Sequence, residues 1–137
     1  MRKKNKLNNV EVVINGEKYD SRKEYRRHQE LLLLERAGEI SGLRRQVKFV
    51  LIPTQYETVV LDEVYKLGPN KGERKRQQHC VERECSYYAD FVYIDKDGKR
   101  VVEDVKGYRD PSCATYGEFV IKRKLMRWIN GIAVREV

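Results

Sequence analysis

Hydrophobic and polar positions alternate most clearly at Tyr88-Ala89-Asp90-Phe91-Val92-Tyr93 and at Val101-Val102-Glu103-Asp104-Val105-Lys106-Gly107. Both runs predict β-strands. Asp95-Lys96-Asp97-Gly98 lies between them, and Asp-Gly between aromatic or β-branched runs is a strong hairpin signal. Alternation puts Arg100, Val102, Asp104 and Lys106 on one face and Val101, Glu103 and Val105 on the other. Paired strands lie about 4.8 Å apart, so Asp90 on the neighbouring strand can join Asp104 and Lys106.

The same reading extends along the chain. Val10 to Tyr19 predicts a short hairpin around Asn15-Gly16. Asp20-Ser21-Arg22-Lys23-Glu24 opens a helix, with Ser21 and Glu24 spaced as a capping box. That helix runs through Leu31-Leu32-Leu33-Leu34 and stops near Ala37-Gly38. Four consecutive leucines exceed one amphipathic stripe, so cover on more than one side is expected. Ile40 to Leu43 reads as a connector and Val47 to Ile52 as a strand ended by Pro53.

Between about Gln55 and Cys80 the pattern blurs. Leu67 to Gly72 is turn-forming, and Glu73 to Gln78 is polar and basic. We read 57–79 as a variable insertion, a loop or irregular hairpin, either a solvated surface or a contact with a substrate backbone. Val81 to Ile94 is one long strand, or two with a bend near Cys85-Ser86, and Arg100 to Lys106 is its partner. Gly107 to Pro111 breaks the sheet. Tyr116 to Asn130 predicts a second helix that buries Ile121, Leu125, Trp128 and Ile129 as one stripe. Asn130-Gly131 ends it, and Ile132 to Val137 is a last strand. A strand–helix–strand ending implies a parallel pair in a mixed sheet.

Length bounds the organisation at one domain, 10–137, after a basic arm at 1–9. Of the 137 residues 36% are charged, and the net charge of +8 favours a polyanionic partner, nucleic acid first. No apolar run approaches the roughly 18 residues of a membrane span, and no hydrophobic segment follows the basic start. The three cysteines, Cys80, Cys85 and Cys113, are expected as reduced thiols in a cytoplasm. With His79 they have poor spacing for structural zinc. A calcium loop from Asp95 fails because Lys106 stands where the bidentate Glu is needed.

Asp90 and Asp104 offer hard oxygen ligands, which suit Mg²⁺ or Mn²⁺. The Val105 carbonyl is a further candidate ligand. Lys106, on the same face, can orient or deprotonate a water and offset developing charge. The plainer alternative is a structural ion pair among these groups. Glu24 is fully explained as a cap, and Glu103, facing away, belongs to solvent or to a structural pair. Lys122, Arg123, Lys124 and Arg127 are either a solvated helix face or phosphate contacts beside the site. His28 and His79 read as packing or surface residues.

Five stretches in order carry a resemblance: Asp20 to Glu24, Cys85 to Tyr93, Val102 to Gly107, Ile121 to Leu125, and Gly131-Ile132 with Arg135-Glu136-Val137. Together they resemble the PD-(D/E)xK nuclease superfamily, and within it a family of small bacteriophage proteins described as Holliday-junction-resolvase-like. The resemblance covers most of 10–137 outside about 57–79. It implies a restriction-endonuclease-like αβββαβ core, an α/β fold with a mixed central sheet flanked by helices. It makes Asp90 the first acidic residue of the motif and Asp104 and Lys106 its (D/E)-x-K. Glu24 matches the acidic residue that the first helix supplies to many such sites. Ala89 replaces the proline of the motif, as in many small resolvase-like members.

The expectation is therefore a Mg²⁺-dependent DNA endonuclease, phage or prophage encoded and working in the bacterial cytoplasm on branched DNA. A homodimer follows from the resemblance and from the four-leucine helix. A non-catalytic nucleic-acid- or partner-binding protein of the same fold is the alternative from another class. Cleavage of RNA or of linear duplex ends would keep the chemistry and change the substrate.

Overall fold

The computed structural model describes residues 10–107, 109–110 and 112–137. The arm at 1–9 and two positions of the sheet-breaking loop, Tyr108 and Pro111, lie outside them. Strands β1 (Val12–Ile14) and β2 (Glu17–Tyr19) pair antiparallel around Asn15 and Gly16. Those two residues have φ of 52° and 79°, the left-handed pair that a two-residue hairpin turn requires.

Helix α1 (Arg22–Arg36) starts as its sequence dictates. The Ser21 Oγ accepts the Glu24 N–H at 3.1 Å, and the Glu24 carboxylate accepts the Asp20 N–H at 2.9 Å. Gly38, at φ 75°, follows the last turn. The four leucines do not behave as expected. Leu31 is buried, whereas Leu33 and Leu34 are exposed, so α1 is covered on one side among the described residues.

A four-stranded sheet has the order β3-β6-β7-β8, with β3 Ser41–Ile52, β6 Cys85–Ile94, β7 Arg100–Asp104 and β8 Arg135–Glu136. β6 and β7 are antiparallel; β7 and β8 are parallel and joined through helix α2, Ala114–Asn130. The protein is thus mixed α/β, with two helices and a mixed central sheet among the described residues. The expected connector at 40–43 is instead the start of β3. Gly42 and Gln46, both at positive φ, are accommodated within the strand, where the sequence suggested a break. The last strand is shorter than 132–137. The 81–94 run proves to be two strands, with Arg83 and Glu84 between them.

Two compact units make up the chain, one holding the described residues of 1–49 and 87–137, the other Val50–Ser86. The second contains the antiparallel hairpin β4 (Gln55–Val64) and β5 (Arg74–Glu82), with register shifts at both ends of its ladder. The expected insertion at 57–79 falls inside it. In the first unit Leu31, Ile40, Phe91, Tyr93 and Val101 form the core, with Leu43 and Val105 against it. Each such side chain contributes about 1.5–3 kcal/mol on burial.

Helix α2 is rotated relative to the expected stripe. Phe119 and Met126 are buried, while Ile121, Trp128 and Ile129 are exposed and Leu125 is half-buried. The sequence placed the long aliphatics and Trp128 inward because they share helical spacing. Phe119 and Met126 sit at i and i+7 on another face, and Phe119 packs against Tyr87 with ring centroids 6.2 Å apart. That inward face also carries half-buried Lys122 and Arg123, and an apolar stripe search passes over it for that reason.

Candidate functional site

Phe91 pairs with Glu103 across β6 and β7. One step further along that ladder Asp90 stands opposite Asp104, and residues opposite each other in a ladder project to the same face. Lys106, two residues beyond, reaches back so that its Nζ lies 2.7 Å from Asp104 Oδ1. Asp90 Oδ2 accepts the Val105 N–H at 2.8 Å. The structure therefore brings Asp90, Asp104 and Lys106 together at the end of one hairpin, with Val105 entering through its backbone amide.

Glu103 turns the other way. It is fully buried and held by Arg27 in a two-point contact, Nε to Oε2 at 2.9 Å and Nη2 to Oε1 at 2.6 Å. The Tyr93 hydroxyl also donates to it, and Arg135 lies 3.7 Å away. Of the two roles left open for Glu103, the structural pair is the one observed.

Glu24 is buried on α1 yet belongs to the acidic group, through Gln46. The Gln46 amide nitrogen donates to Glu24 Oε1 at 3.1 Å and to Asp90 Oδ1 at 3.0 Å. Its backbone is left-handed, φ 49°, within β3. Such a conformation costs a residue with a Cβ about 1–2 kcal/mol, and here it aims the side chain between two carboxylates. Arg45 lies 3.7 Å from Glu24 and stacks over the Tyr19 ring at 3.9 Å. Burial raises the Glu24 carboxyl above its usual range, partly opposed by the Asp20 N–H.

Asp90 is perturbed most clearly. Burial, and after it the charge of Asp104, push its carboxyl up to about 7; the Val105 N–H acts against that, Glu24 adds to it, and Gln46 opposes it. Asp104 is buried, with its second oxygen accepting the Tyr87 hydroxyl at 2.7 Å. Burial and the nearby Asp104 hold the Tyr87 hydroxyl far above its ordinary value, so it stays a donor. The Lys106 ammonium sits 3.9 Å over the Phe119 ring, and its backbone carbonyl accepts Lys23 Nζ at 2.8 Å.

The donor set suits a hard divalent cation. The charges of Asp104 and Glu24 add to burial in raising the proton affinity of Asp90, and a cation at these oxygens would offset that repulsion. Among the described residues no three His, Cys, Asp or Glu side chains are already drawn into a metal-holding cluster. Asp90 and Asp104, with Glu24 behind Gln46, are the residues that would hold such an ion.

The family described as a protein of unknown function, DUF1064, matches residues 4–129. The chain belongs to the DUF1064 family. No curated protein and no solved structure matches it. The DUF1064 match spans the whole acidic group and α2 up to Ile129.

The basic residues of α2 divide in two. Arg123 Nη1 is 2.7 Å from Glu136 and Lys122 Nζ is 3.2 Å from Glu118, while Lys124 and Arg127 are exposed. His28 is a packing residue. It meets the Tyr19 hydroxyl at 2.7 Å, lies against Phe91, and is lowered in pKa by burial. His79 is exposed. Among the described residues the cysteines are free thiols, and no helix is long and apolar enough to cross a membrane.

The sequence reading missed Gln46, Tyr87, Phe119 and Lys23. Gln46 carries no signal, because nothing in Arg44-Arg45-Gln46-Val47 announces a left-handed residue. Tyr87 is three residues from Asp90, and strict alternation assigns it to the opposite face. Phe119 was detectable in principle, since it lies seven residues before Met126.

Proposed function

We propose that this protein is a divalent-metal-dependent endodeoxyribonuclease with the restriction-endonuclease-like core of the PD-(D/E)xK superfamily, acting on branched DNA as Holliday-junction-resolvase-like proteins do. The observation that carries the reading is the meeting of Asp90, Asp104 and Lys106 at one end of the β6–β7 hairpin. An ion pair needed only for stability would not call for two adjoining carboxylates, one of them raised to about 7. Perturbed acids clustered beside a lysine are a frequent mark of a reaction centre.

Each residue has a role in this proposal. Asp90 and Asp104 would hold Mg²⁺, or Mn²⁺ in its place, and the ion would supply Lewis acidity and neutralise charge on the phosphate. Lys106, fixed between Asp104 and the Phe119 ring, faces the attacked phosphodiester and offsets charge developing on its oxygens. Tyr87 keeps Asp104 oriented. Gln46 holds Glu24 and Asp90 at one spacing. Lys124 and Arg127 on the exposed part of α2 are free to meet backbone phosphates; Lys122 and Arg123 would do so only by sharing with Glu118 and Glu136.

Labelled four-way junctions, flaps, forks and linear duplexes, each incubated with Mg²⁺ or Mn²⁺, test the reading. Cleavage of branched substrates that stops on adding EDTA supports it. Tight binding with no cleavage in either metal would instead leave a non-catalytic binding protein of this fold.

A further inference from the structure

Trp128 is the single tryptophan of the chain and is 88% exposed. A side chain of that size is usually covered over most of its surface. The packing of α2 explains why this one is not. Phe119 faces inward, against Tyr87 and under Lys106. Trp128 follows about two and a half helical turns later, which sets it on the opposite side of the helix. Ile121 and Lys124 are exposed on that same outer side, within reach of Trp128 by helical spacing.

The charges around the ring point to its partner. Between Glu118 and Glu136 the chain carries Lys122, Arg123, Lys124, Arg127 and Arg135 and no acid. Those two glutamates engage Lys122 and Arg123, and Arg135 lies 3.7 Å from Glu103. Lys124 and Arg127 are left over; both are exposed, and both adjoin Trp128. The same face of a second copy would bring these cations against their like. A polyanion is attracted instead, and among polyanions nucleic acid offers flat rings to stack on an indole. Bases within a duplex have their faces covered by their neighbours, so a protein ring stacks on bases that are unpaired.

We propose that Trp128, flanked by Lys124 and Arg127, is a stacking platform for an unpaired nucleotide. The indole takes the base, and the two cations take phosphates beside it. The inference rests on the proposed function in taking DNA as the partner of α2. It adds a preference, among branched substrates, for those with a single-stranded arm, such as flaps and forks. Trp128 stands about 13 Å along α2 from Phe119, the length of about four nucleotides at roughly 3.4 Å each. The unpaired arm must reach at least that far.

The test uses the full chain in EDTA, so that nothing is cleaved, and reads Trp128 directly, since no other tryptophan contributes to the emission. An oligothymidine of about 12 nucleotides should quench that emission and shield the ring from acrylamide. A duplex of the same length should do neither. On labelled DNA, Trp128→Ala should bind the oligothymidine about 5- to 150-fold more weakly and the duplex as the wild type does, and Trp128→Phe should recover most of the loss. Lys124→Gln with Arg127→Gln should weaken both and lower the salt dependence of binding. The quenching needs no variant, so it stands whether or not the variants fold. Wild-type emission unchanged by oligothymidine, a folded Trp128→Ala protein that binds it normally, or an equal loss on both DNAs would overturn the proposal. Emission that shifts to the blue on phosphatidylserine–phosphatidylcholine vesicles but ignores oligothymidine would overturn it in favour of a membrane surface. A shift that follows protein concentration alone would do so in favour of a second copy. Quenching by oligothymidine in a protein that cleaves nothing in Mg²⁺ or Mn²⁺ would remove the nuclease reading and keep the platform; cleavage without quenching would do the reverse.

Discussion

The side-chain amide of Gln46 lies 3.0 Å from Asp90 and spans to Glu24 at 3.1 Å, from a backbone held at φ 49°. A strained residue that joins two acids is explained by what it holds together. Replacing it separates strain from contact. Gln46→Ala keeps the strain and loses both hydrogen bonds. Gln46→Gly loses the bonds but relieves the backbone, and should be about 1 kcal/mol more stable than Gln46→Ala. Both should bind Mn²⁺ more weakly than the wild type, measured by calorimetry. Equal stability of the two variants would contradict the assigned strain.

Lys106 depends on Phe119. A cation over an aromatic face gains about 0.5–2 kcal/mol, so Phe119→Leu, which keeps an apolar side chain there, should slow cleavage by about 3- to 30-fold. DNA affinity should be unchanged, because Phe119 is buried and touches no nucleic acid in this account. A variant that cleaves normally would show that the ring does not position the ammonium.

Asp90 sets a pH dependence. Its carboxyl is raised from 3.8 to about 7 in the folded protein. The folded state therefore holds a proton that the unfolded chain releases, and stability is lost as pH rises from about 4 through about 7. Without added metal, the protein should melt lower at pH 8 than at pH 5.5 through this group. Asp90→Asn removes the ionisation and can still accept the Val105 N–H. It should be more stable than the wild type at pH 8, the difference shrinking toward pH 4. Divalent cation should raise the melting temperature of the wild type at pH 8 more than that of Asp90→Asn. A constant difference between the two proteins across this pH range would contradict the assignment.

Glu103 and Asp104 are adjacent in sequence and project to opposite faces of β7, and the proposed reaction uses only Asp104. Arg27→Ala leaves Glu103 buried without its main partner and should cost about 3–5 kcal/mol in urea unfolding. Asp104→Ala should cost far less stability while removing the reaction. If the two variants exchanged these phenotypes, Glu103 would be the acidic residue that matters.

The hairpin at the centre of the site was legible because turn chemistry and two-fold alternation act over a few residues. The same rule separates Asp104 from Glu103 on the sequence alone. The capping box and the Asn15-Gly16 turn were legible for the same reason. What escaped depended on tertiary context. The rotation of α2 is set by Phe119 meeting Tyr87 and Lys106, and three of the four side chains the helical period marked for the core, Ile121, Trp128 and Ile129, are left outside. Gln46 escaped because its conformation is imposed by two acids distant in sequence. The exposure of Leu33 and Leu34 shows the limit of counting leucines, since a run fixes hydrophobicity but not which neighbours arrive.

The most direct test of the central claim compares wild type, Asp104→Ala and Lys106→Ala on one labelled four-way junction, with binding measured in Ca²⁺ and cleavage in Mg²⁺ or Mn²⁺. The account predicts near-equal binding by all three proteins and cleavage reduced by about 100-fold or more in each variant. Cleavage by the variants at the wild-type rate, or wild-type cleavage that persists in EDTA, would contradict it.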